Sequence, residues 1–248
     1  MPSLQDKERY QRQILLFGED GQTSLKEASV LIAGAGGLGS PVSCYLAVAG
    51  VGHIRIADHD RVERSNLNRQ ILHGEQDIGV LKVDSACDTL SWLNPDIEID
   101  PRAVTIDERT IGSLVDGVDV IVDAMDNYPT RYLLNRAAID QGIPLVHGAI
   151  HGLGGQATTI IPGRTACLRC VFPHPPPKET FPVVGVAPGI IGMIQATEVL
   201  KYLLGTGTLL ENRLALWDGL SCRLEEIPVS RNPACEECSS ISDTKEGR

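Results

Sequence analysis

The stretch VLIAGAGGLG at residues 30–39 places an apolar run directly before a glycine-rich turn. The apolar residues predict a buried strand, and the spacing Gly34-x-Gly36-x-x-Gly39 suits a tight turn whose backbone approaches phosphate closely. A helix that starts after such a turn offers unpaired N–H groups and the positive end of its dipole to an anion. We therefore predict a nucleotide-binding turn; the alternative is a glycine-rich contact between helix and strand without a ligand.

A carboxylate, Asp58, follows the next predicted strand, His53–Ala57. It stands about twenty residues beyond the glycines, where an acid can accept hydrogen bonds from ribose hydroxyls. Strand, turn, helix and acid together predict a Rossmann-like, doubly wound α/β fold with a mostly parallel sheet. An NAD-dependent oxidoreductase shares the turn and the acid, so this class of enzyme is the first alternative.

The composition limits the kinds of partner. The chain has 248 residues and a formal net charge of −10 at pH 7, which disfavours a general nucleic-acid or anionic-membrane surface but leaves room for a local basic patch that binds phosphates. No apolar run reaches a membrane-spanning length, and residues 1–8 lack the apolar core of a secretory signal. We expect a cytoplasmic protein that binds neither nucleic acid nor membrane.

Polar side chains also follow a third predicted strand, Val118–Val122, as Asp126 and Asn127. Open α/β sheets bind ligands beyond the carboxyl ends of their strands, so Asp126 is a candidate Mg²⁺ ligand that faces nucleotide phosphates. Alternatively, Asp126 only caps the helix predicted over Tyr128–Gln141.

The remaining pattern predicts two more helices, a strand and a hairpin. The helices span Lys82–Leu93 and Pro188–Leu204, the strand spans Gln156–Ile161, and the hairpin pairs Arg213–Trp217 with Arg223–Val229. The hairpin predicts an antiparallel extension at the C-terminal end of the sheet. His147 and His151 are interpreted as structural, because no acid or nucleophile is spaced to use them.

Four of the seven cysteines form two CxxC pairs, Cys167 with Cys170 and Cys235 with Cys238. Such pairs fit tetrahedral thiolate coordination of zinc, and four sulfur ligands leave no open position, so the predicted site is structural. Iron–sulfur ligation and a redox CxxC are the alternatives. The other three cysteines, Cys44, Cys87 and Cys222, are predicted to be small core residues.

These motifs occur in one order with Arg12, Lys82 and the segment SNLNRQ at residues 65–70. In this order the chain closely resembles, over nearly its whole length, the MoeB/ThiF/HesA family, the bacterial relatives of ubiquitin-activating enzymes. Neither SNLNRQ nor the segment DAMDN at residues 123–127 is shared by NAD dehydrogenases.

The resemblance implies a homodimer that binds ATP and Mg²⁺ and adenylates the C-terminal glycine of a small ubiquitin-like sulfur carrier ending in Gly-Gly. It implies one domain over residues 1–248, with a nucleotide-binding part near 28–150 and a carrier-binding and zinc part near 151–240. The carrier would belong to molybdopterin, thiamine or related sulfur-transfer biosynthesis. A carboxylate is already an ionised nucleophile near neutral pH, so its attack on the α-phosphate needs positioning and charge neutralisation but no enzymic base.

The resemblance also implies roles for individual residues, with Arg69, Lys82, Asp126 and Arg12 as the catalytic set. The phosphate turn would consist of Gly34, Gly36, Gly37 and Gly39, and the ribose would be bound by Asp58. The phosphates would be bound by Asn66, Arg69 and Lys82, magnesium would be held by Asp126 beside Asn127, and Arg12 would reach the triphosphate bound to the partner subunit. Zinc would be held by Cys167, Cys170, Cys235 and Cys238.

One departure from the family pattern concerns the covalent step. Relatives that form a covalent carrier intermediate use a cysteine after the proline-rich turn, whereas residues 171–221 contain none. We therefore expect the acyl-adenylate to pass to a separate sulfur donor. Two further alternatives are a non-catalytic adaptor that only binds a carrier and a relative that adenylates another carboxylate, such as one on modified tRNA.

Overall fold

The fold is that of a computed structural model, which describes residues 4–175 and 182–240. Part of the proline-rich segment and both ends of the predicted 1–248 domain lie outside these ranges. The helices are α1 Leu4–Arg9, α2 Gln11–Glu27, α3 Gly39–Ala49, α4 Lys82–Leu93, α5 Ile111–Val115, α6 Tyr128–Gln141, α7 Leu168–Val171 and α8 Val186–Leu204. The strands are β1 Ser29–Ala33, β2 His53–Ala57, β3 Glu98–Arg102, β4 Val120–Asp123, β5 Leu145–His151, β6 Gly154–Ile160, β7 Arg213–Asp218 and β8 Arg223–Pro228.

All eight strands form one sheet in the order β3-β2-β1-β4-β5-β6-β7-β8. The neighbours from β3 to β5 are parallel, and those from β5 to β8 are antiparallel. The strand order therefore reverses beside β1, which has β2 on one side and β4 on the other. In the register, Ala33 pairs with both Ala57 and Asp123, so these three strands end at one edge. Ligands of doubly wound sheets bind at such a point.

The parallel strands are buried on both faces because helices cover each side. Val30 and Ile32 of β1 belong to one apolar cluster, while Leu31 and Ala33 belong to a second one on the opposite face. A continuous apolar run is the pattern expected of a parallel strand with two covered faces. The predicted α/β fold with its antiparallel C-terminal extension is confirmed.

Most predicted boundaries agree with the structure to within two residues, and the exceptions have local causes. Helix α8 begins two residues before Pro188, because a proline in the first helical turn sacrifices no hydrogen bond. Helix α2 is interrupted at Gly18, whose φ of 76° separates two helical stretches. The prediction for Cys222 is wrong: this residue is exposed in the turn between β7 and β8, with a φ of 52°. No helix among the described residues is long and apolar enough to cross a membrane.

Candidate nucleotide-binding site and cysteine cluster

A cleft of about 440 Å³ opens at the carboxyl ends of β1, β2 and β4. Eight predicted site residues line it: Gly34, Gly36, Gly37, Asp58, Arg69, Lys82, Asp126 and Asn127. These residues come from five separate segments of the chain, and the reversal of strand order brings them together.

The glycine turn is held by close backbone contacts. A Cβ atom on Gly39 would lie 1.9 Å from the carbonyl oxygen of Gly34, so only glycine fits there. Gly34 has a φ of 104°, a conformation that favours glycine. The carbonyl of Gly36 accepts hydrogen bonds from the amide and the hydroxyl of Ser40 in the first turn of α3. The turn therefore leads directly into α3, and the turn residues Gly36, Gly37 and Leu38 line the cleft.

Asp58 is oriented by two backbone amides. Its Oδ2 accepts a hydrogen bond from the Ala35 amide at 2.9 Å, and its Oδ1 accepts one from the Asp60 amide at 2.8 Å. Each carboxylate oxygen can accept a further bond. The acid is thus fixed against the glycine turn and still able to receive ribose hydroxyls.

Lys82 is paired with an acid that the sequence analysis missed. Its side chain is 7% exposed, and its Nζ lies 2.8 Å from Oδ2 of Asp60. Burial acts to raise the pKa of Asp60, but the hydrogen bond and charge of Lys82 outweigh it and bring that pKa below its usual value. Asp60 stands two residues after Asp58. The sequence signal that could have identified it was therefore a second acid at the end of the same strand. A phosphate in the cleft would compete with Asp60 for the ammonium group.

Arg69 lies in the cleft wall, but Asn66 and Arg12 do not line the cleft as the described residues form it. Arg69 is half-buried and donates from Nη1 to the Ser65 carbonyl at 2.8 Å. The side chain of Asn66 instead accepts from the Glu63 amide at 3.1 Å, which closes a short 3-10 helix. Arg12 is exposed on α2.

Asn127, rather than Asp126, caps helix α6. The Asn127 Oδ1 accepts a hydrogen bond from the Thr130 amide at 3.0 Å. This geometry removes the alternative in which Asp126 serves only as the cap. Asp126 is exposed at the cleft, and its carboxylate oxygen lies 3.4 Å from Nδ2 of Asn127. A carboxylate in this position suits a hard cation such as Mg²⁺.

Arg131, which lines the cleft, belongs to a buried polar group with Asp123 and His147. The Nδ1 atom of His147 lies 2.7 Å from Oδ2 of Asp123, and both residues are fully buried. Arg131 approaches the same oxygen at 3.7 Å and donates to the Met125 carbonyl at 2.6 Å. Burial lowers the pKa of His147 despite its acidic partner. His147 is structural as predicted, but the expectation that no acid serves it is wrong, because β4 and β5 pair Asp123 with His147.

The four CxxC cysteines converge on one point, and each sulfur lies within 4.8 Å of the others. The measured separations are 3.8 Å between Cys167 and Cys170, 3.7 Å between Cys167 and Cys235, and 3.4 Å between Cys170 and Cys238. Zinc–sulfur bonds of about 2.3 Å in a tetrahedron place neighbouring sulfurs about 3.8 Å apart, so the residues fit zinc. The Asn232 amide donates to Cys170 Sγ at 3.3 Å. Burial raises the pKa of the Cys167 thiol, so a bound metal would have to displace its proton.

Helix α6 connects the cysteine cluster to the cleft. Asn135 of this helix donates to Glu237 at 2.5 Å and accepts from the Leu168 amide at 2.8 Å. Glu237 lies in the second CxxC pair and Leu168 in the first. Because Asn127 of the cleft wall caps the same helix, the cluster and the cleft wall share one rigid element.

A second concavity, an apolar groove of about 710 Å³, lies between α8 and the β7–β8 hairpin. Exposed apolar side chains line it, among them Val186, Met193 and Leu224 at 60%, 42% and 51% exposure. Val183, which lines the nucleotide cleft, precedes α8 by three residues. The groove therefore begins close to the cleft.

Known proteins resemble this chain over most of its sequence. The sequence matches the ThiF family over residues 10–237. It is 45% identical to the SAMP-activating enzyme E1 of Haloferax volcanii, over 93% of this chain and 88% of that protein. It is 41% identical to the sulfur carrier protein adenylyltransferase of Thermus thermophilus, over 98% and 94%. The adenylyltransferase and sulfurtransferase MOCS3 of Drosophila sechellia is 43% identical over 95% of this chain, which spans 54% of that protein.

Solved structures share the fold at lower identity. The crystal structure of Escherichia coli MccB with MccA-N7isoASN has a TM-score of 0.85 and 24% identity, over 96% of this chain and 76% of that one. The structure of PaaA has a TM-score of 0.81 and 26% identity, over 93% and 76%. The family match and the relatives at 41–45% identity agree with the residues gathered in the cleft: the chain belongs to the ThiF family.

Proposed function

We propose that this chain is an ATP-dependent adenylyltransferase that activates the C-terminal glycine of a small ubiquitin-like sulfur carrier. The observation that carries this proposal is the gathering of Asp58, Arg69, Lys82 and Asp126 around one glycine turn. An NAD-dependent oxidoreductase would use the turn and Asp58, but it would have no role for Arg69, Lys82 or Asp126. The names of the relatives from Haloferax and Thermus support the same activity.

The residue types fit nucleotidyl transfer. The glycine turn and the start of α3 receive phosphate, Asp58 receives the ribose, and the apolar wall of Val104, Ile106 and Met125 suits the base. A carboxylate oxygen of the carrier attacks the α-phosphorus, the bond from that phosphorus to the bridging oxygen breaks, and pyrophosphate leaves with the electron pair. Arg69 and Lys82 neutralise the charge that develops on the phosphoryl oxygens.

Magnesium is the metal that this cleft suits, and Asp126 would hold it. When bound, Mg²⁺ neutralises phosphate charge and orients the pyrophosphate leaving group. The exposed Asp126 carboxylate is the hard oxygen ligand that such a cation requires. Zinc at the cysteine cluster has a structural role in this proposal, because four sulfur ligands leave no position for substrate.

Two surfaces suit protein partners. Leu15 and Leu16 of α2 are 81% and 84% exposed, close in sequence to Arg12, so we assign this face to a second copy of the chain. In such a homodimer, Arg12 would reach the triphosphate of the partner subunit. The apolar groove beside α8 is assigned to the carrier, whose Gly-Gly tail would enter the nearby cleft. Residues 151–240 would then supply the carrier-binding and zinc part of the domain.

Carrier-dependent exchange of labelled pyrophosphate into ATP tests the function. We expect exchange with at least one small protein that ends in Gly-Gly and none after its last glycine is removed. The sequence leaves the carrier open among molybdopterin, thiamine and related sulfur pathways. Tight NADH binding without ATP binding, or no exchange with every diglycine-ended carrier, would contradict the proposal.

A further inference from the structure

Gln70 carries a buried oxygen that lacks a hydrogen-bond donor in the described part of the chain. The residue is 4% exposed, and its Oε1 atom is covered without a partner. Two other buried side-chain atoms share this state, Oε1 of Gln195 and Nε1 of Trp217. Of the three residues, Gln70 alone lines the nucleotide cleft. A buried acceptor without a donor destabilises a protein unless a ligand supplies the missing hydrogen bond.

The amide of Gln70 lies beside the part of the glycine turn that Asp58 contacts. Its Nε2 atom would lie 3.8 Å from a Cβ atom placed on Gly36. Asp58 approaches the preceding residue of the same turn, since it accepts from the Ala35 amide. The carboxamide and the carboxylate therefore flank adjacent residues of the glycine turn.

The ligand can supply the donor that the protein does not. Phosphate oxygens only accept hydrogen bonds, so the donors of ATP are its ribose hydroxyls and the amino group of its base. Because Asp58 marks the ribose, the hydroxyls are the donors on this side of the cleft. We propose that Oε1 of Gln70 accepts a hydrogen bond from a ribose hydroxyl of bound ATP and so helps to select ribonucleotides over deoxyribonucleotides. This inference rests on the proposed function.

A site built to bind a hydroxyl rejects the analogue that lacks it, because its own polar group is then left unpaired. We therefore expect the wild-type protein to bind one of two analogues, 2′-deoxy-ATP or 3′-deoxy-ATP, about tenfold more weakly than ATP. The affected analogue is the one that lacks the hydroxyl bound by Gln70. The Gln70→Met substitution keeps the length of the side chain and removes its amide. The affinity of this variant for ATP should fall by about the same factor. The variant should then bind that deoxy analogue as well as it binds ATP.

Calorimetric titration of the three nucleotides against both proteins makes this test, with Gln76→Met as the matched control. Gln76 is exposed in the same segment and does not line the cleft, so its replacement should change no affinity. Thermal melting gives a second readout. Because Gln70→Met removes an unpaired buried acceptor, it should melt at the wild-type temperature or above.

Several results would overturn the assignment. Equal losses for all three nucleotides in Gln70→Met would mean that the amide does not contact the ribose, and a lower melting temperature would indicate a structural glutamine. Unchanged ATP affinity in this variant would contradict the role of Gln70 while the proposed function stands. Failure of the wild-type protein to bind ATP would instead contradict the proposed function, and this inference with it.

Discussion

At the scale of single residues, the two cations of the cleft are held in different ways. Lys82 is buried and paired with Asp60, whereas Arg69 is half-buried and donates to its own segment. Arg69 can therefore move toward phosphate without leaving an acid unpaired. Its contribution should appear in catalysis and not in stability.

We expect Arg69→Ala to slow carrier-dependent pyrophosphate exchange by about a hundredfold, because a charged donor to a developing oxyanion is lost. The melting temperature should not change. Arg64→Ala is the matched control, since Arg64 is an exposed arginine of the same segment and pairs with Glu75. If Arg69→Ala exchanged pyrophosphate at the wild-type rate, Arg69 would have no role in the mechanism.

The buried His73 should make stability depend on pH. Its Nε2 lies 3.1 Å from the Ala35 carbonyl and its Nδ1 lies 2.9 Å from the Ser85 hydroxyl, and burial lowers its pKa. As pH falls through the ordinary histidine pKa of about 6.5, the unfolded chain binds the proton first, so the free energy of unfolding decreases.

Denaturant unfolding measured between about pH 7.5 and 5.5 should therefore show a smaller loss of stability in His73→Gln than in the wild type. The buried His147 contributes to the loss in both proteins. His59→Gln, at an exposed histidine, should keep the wild-type dependence. Identical slopes in the wild type and His73→Gln would show that burial of His73 does not oppose its protonation.

At the scale of elements, helix α6 links the metal site to the cleft. Asn127 caps its first turn, and Asn135 joins it to both CxxC segments. Coordination of zinc would hold the C-terminal segment against this helix. Loss of the metal should therefore loosen α7 and the segment around Glu237 before the parallel strands.

We expect Cys238→Ser to lose bound zinc and to lower the free energy of unfolding by about 4 kcal/mol or more, the range typical of a lost structural metal. Metal analysis with chemical denaturation measures both quantities. Cys222→Ser is the control, because this exposed thiol lies outside the cysteine cluster. Full zinc content and stability in Cys238→Ser would exclude a four-sulfur site.

At the scale of the whole molecule, completion of the active site by a second subunit is the main expectation. Arg12 lies outside the cleft of its own chain, on a helix with exposed leucines. Arg12→Ala and Lys82→Ala should each be inactive alone. Their random mixture should form heterodimers with one intact site and recover roughly a quarter of wild-type exchange. No recovery after verified subunit exchange would contradict the shared site.

The sequence alone predicted the features that have local signals. The glycine spacing predicted the turn, apolar periodicity and stop signals predicted α4 and α6 with their observed ends, and paired cysteines predicted the cluster. The family predicted from these motifs is confirmed by the match over residues 10–237. The roles assigned to the individual site residues, from Arg12 and Asp58 to Asp126 and the four cysteines, stay predictions.

Only the tertiary structure decided contacts between distant segments. The pairing of Asp123 with His147 depends on the register of β4 and β5. The pairing of Lys82 with Asp60 requires that the loop after β2 returns to the sheet. The environment of Gln70 depends on how its segment packs over the glycine turn. Local patterns determine which segments become strands and helices, because each carries its own spacing of apolar residues and end signals. They do not encode register or packing distance, which are set only when the whole sheet and its helices bury their surfaces together.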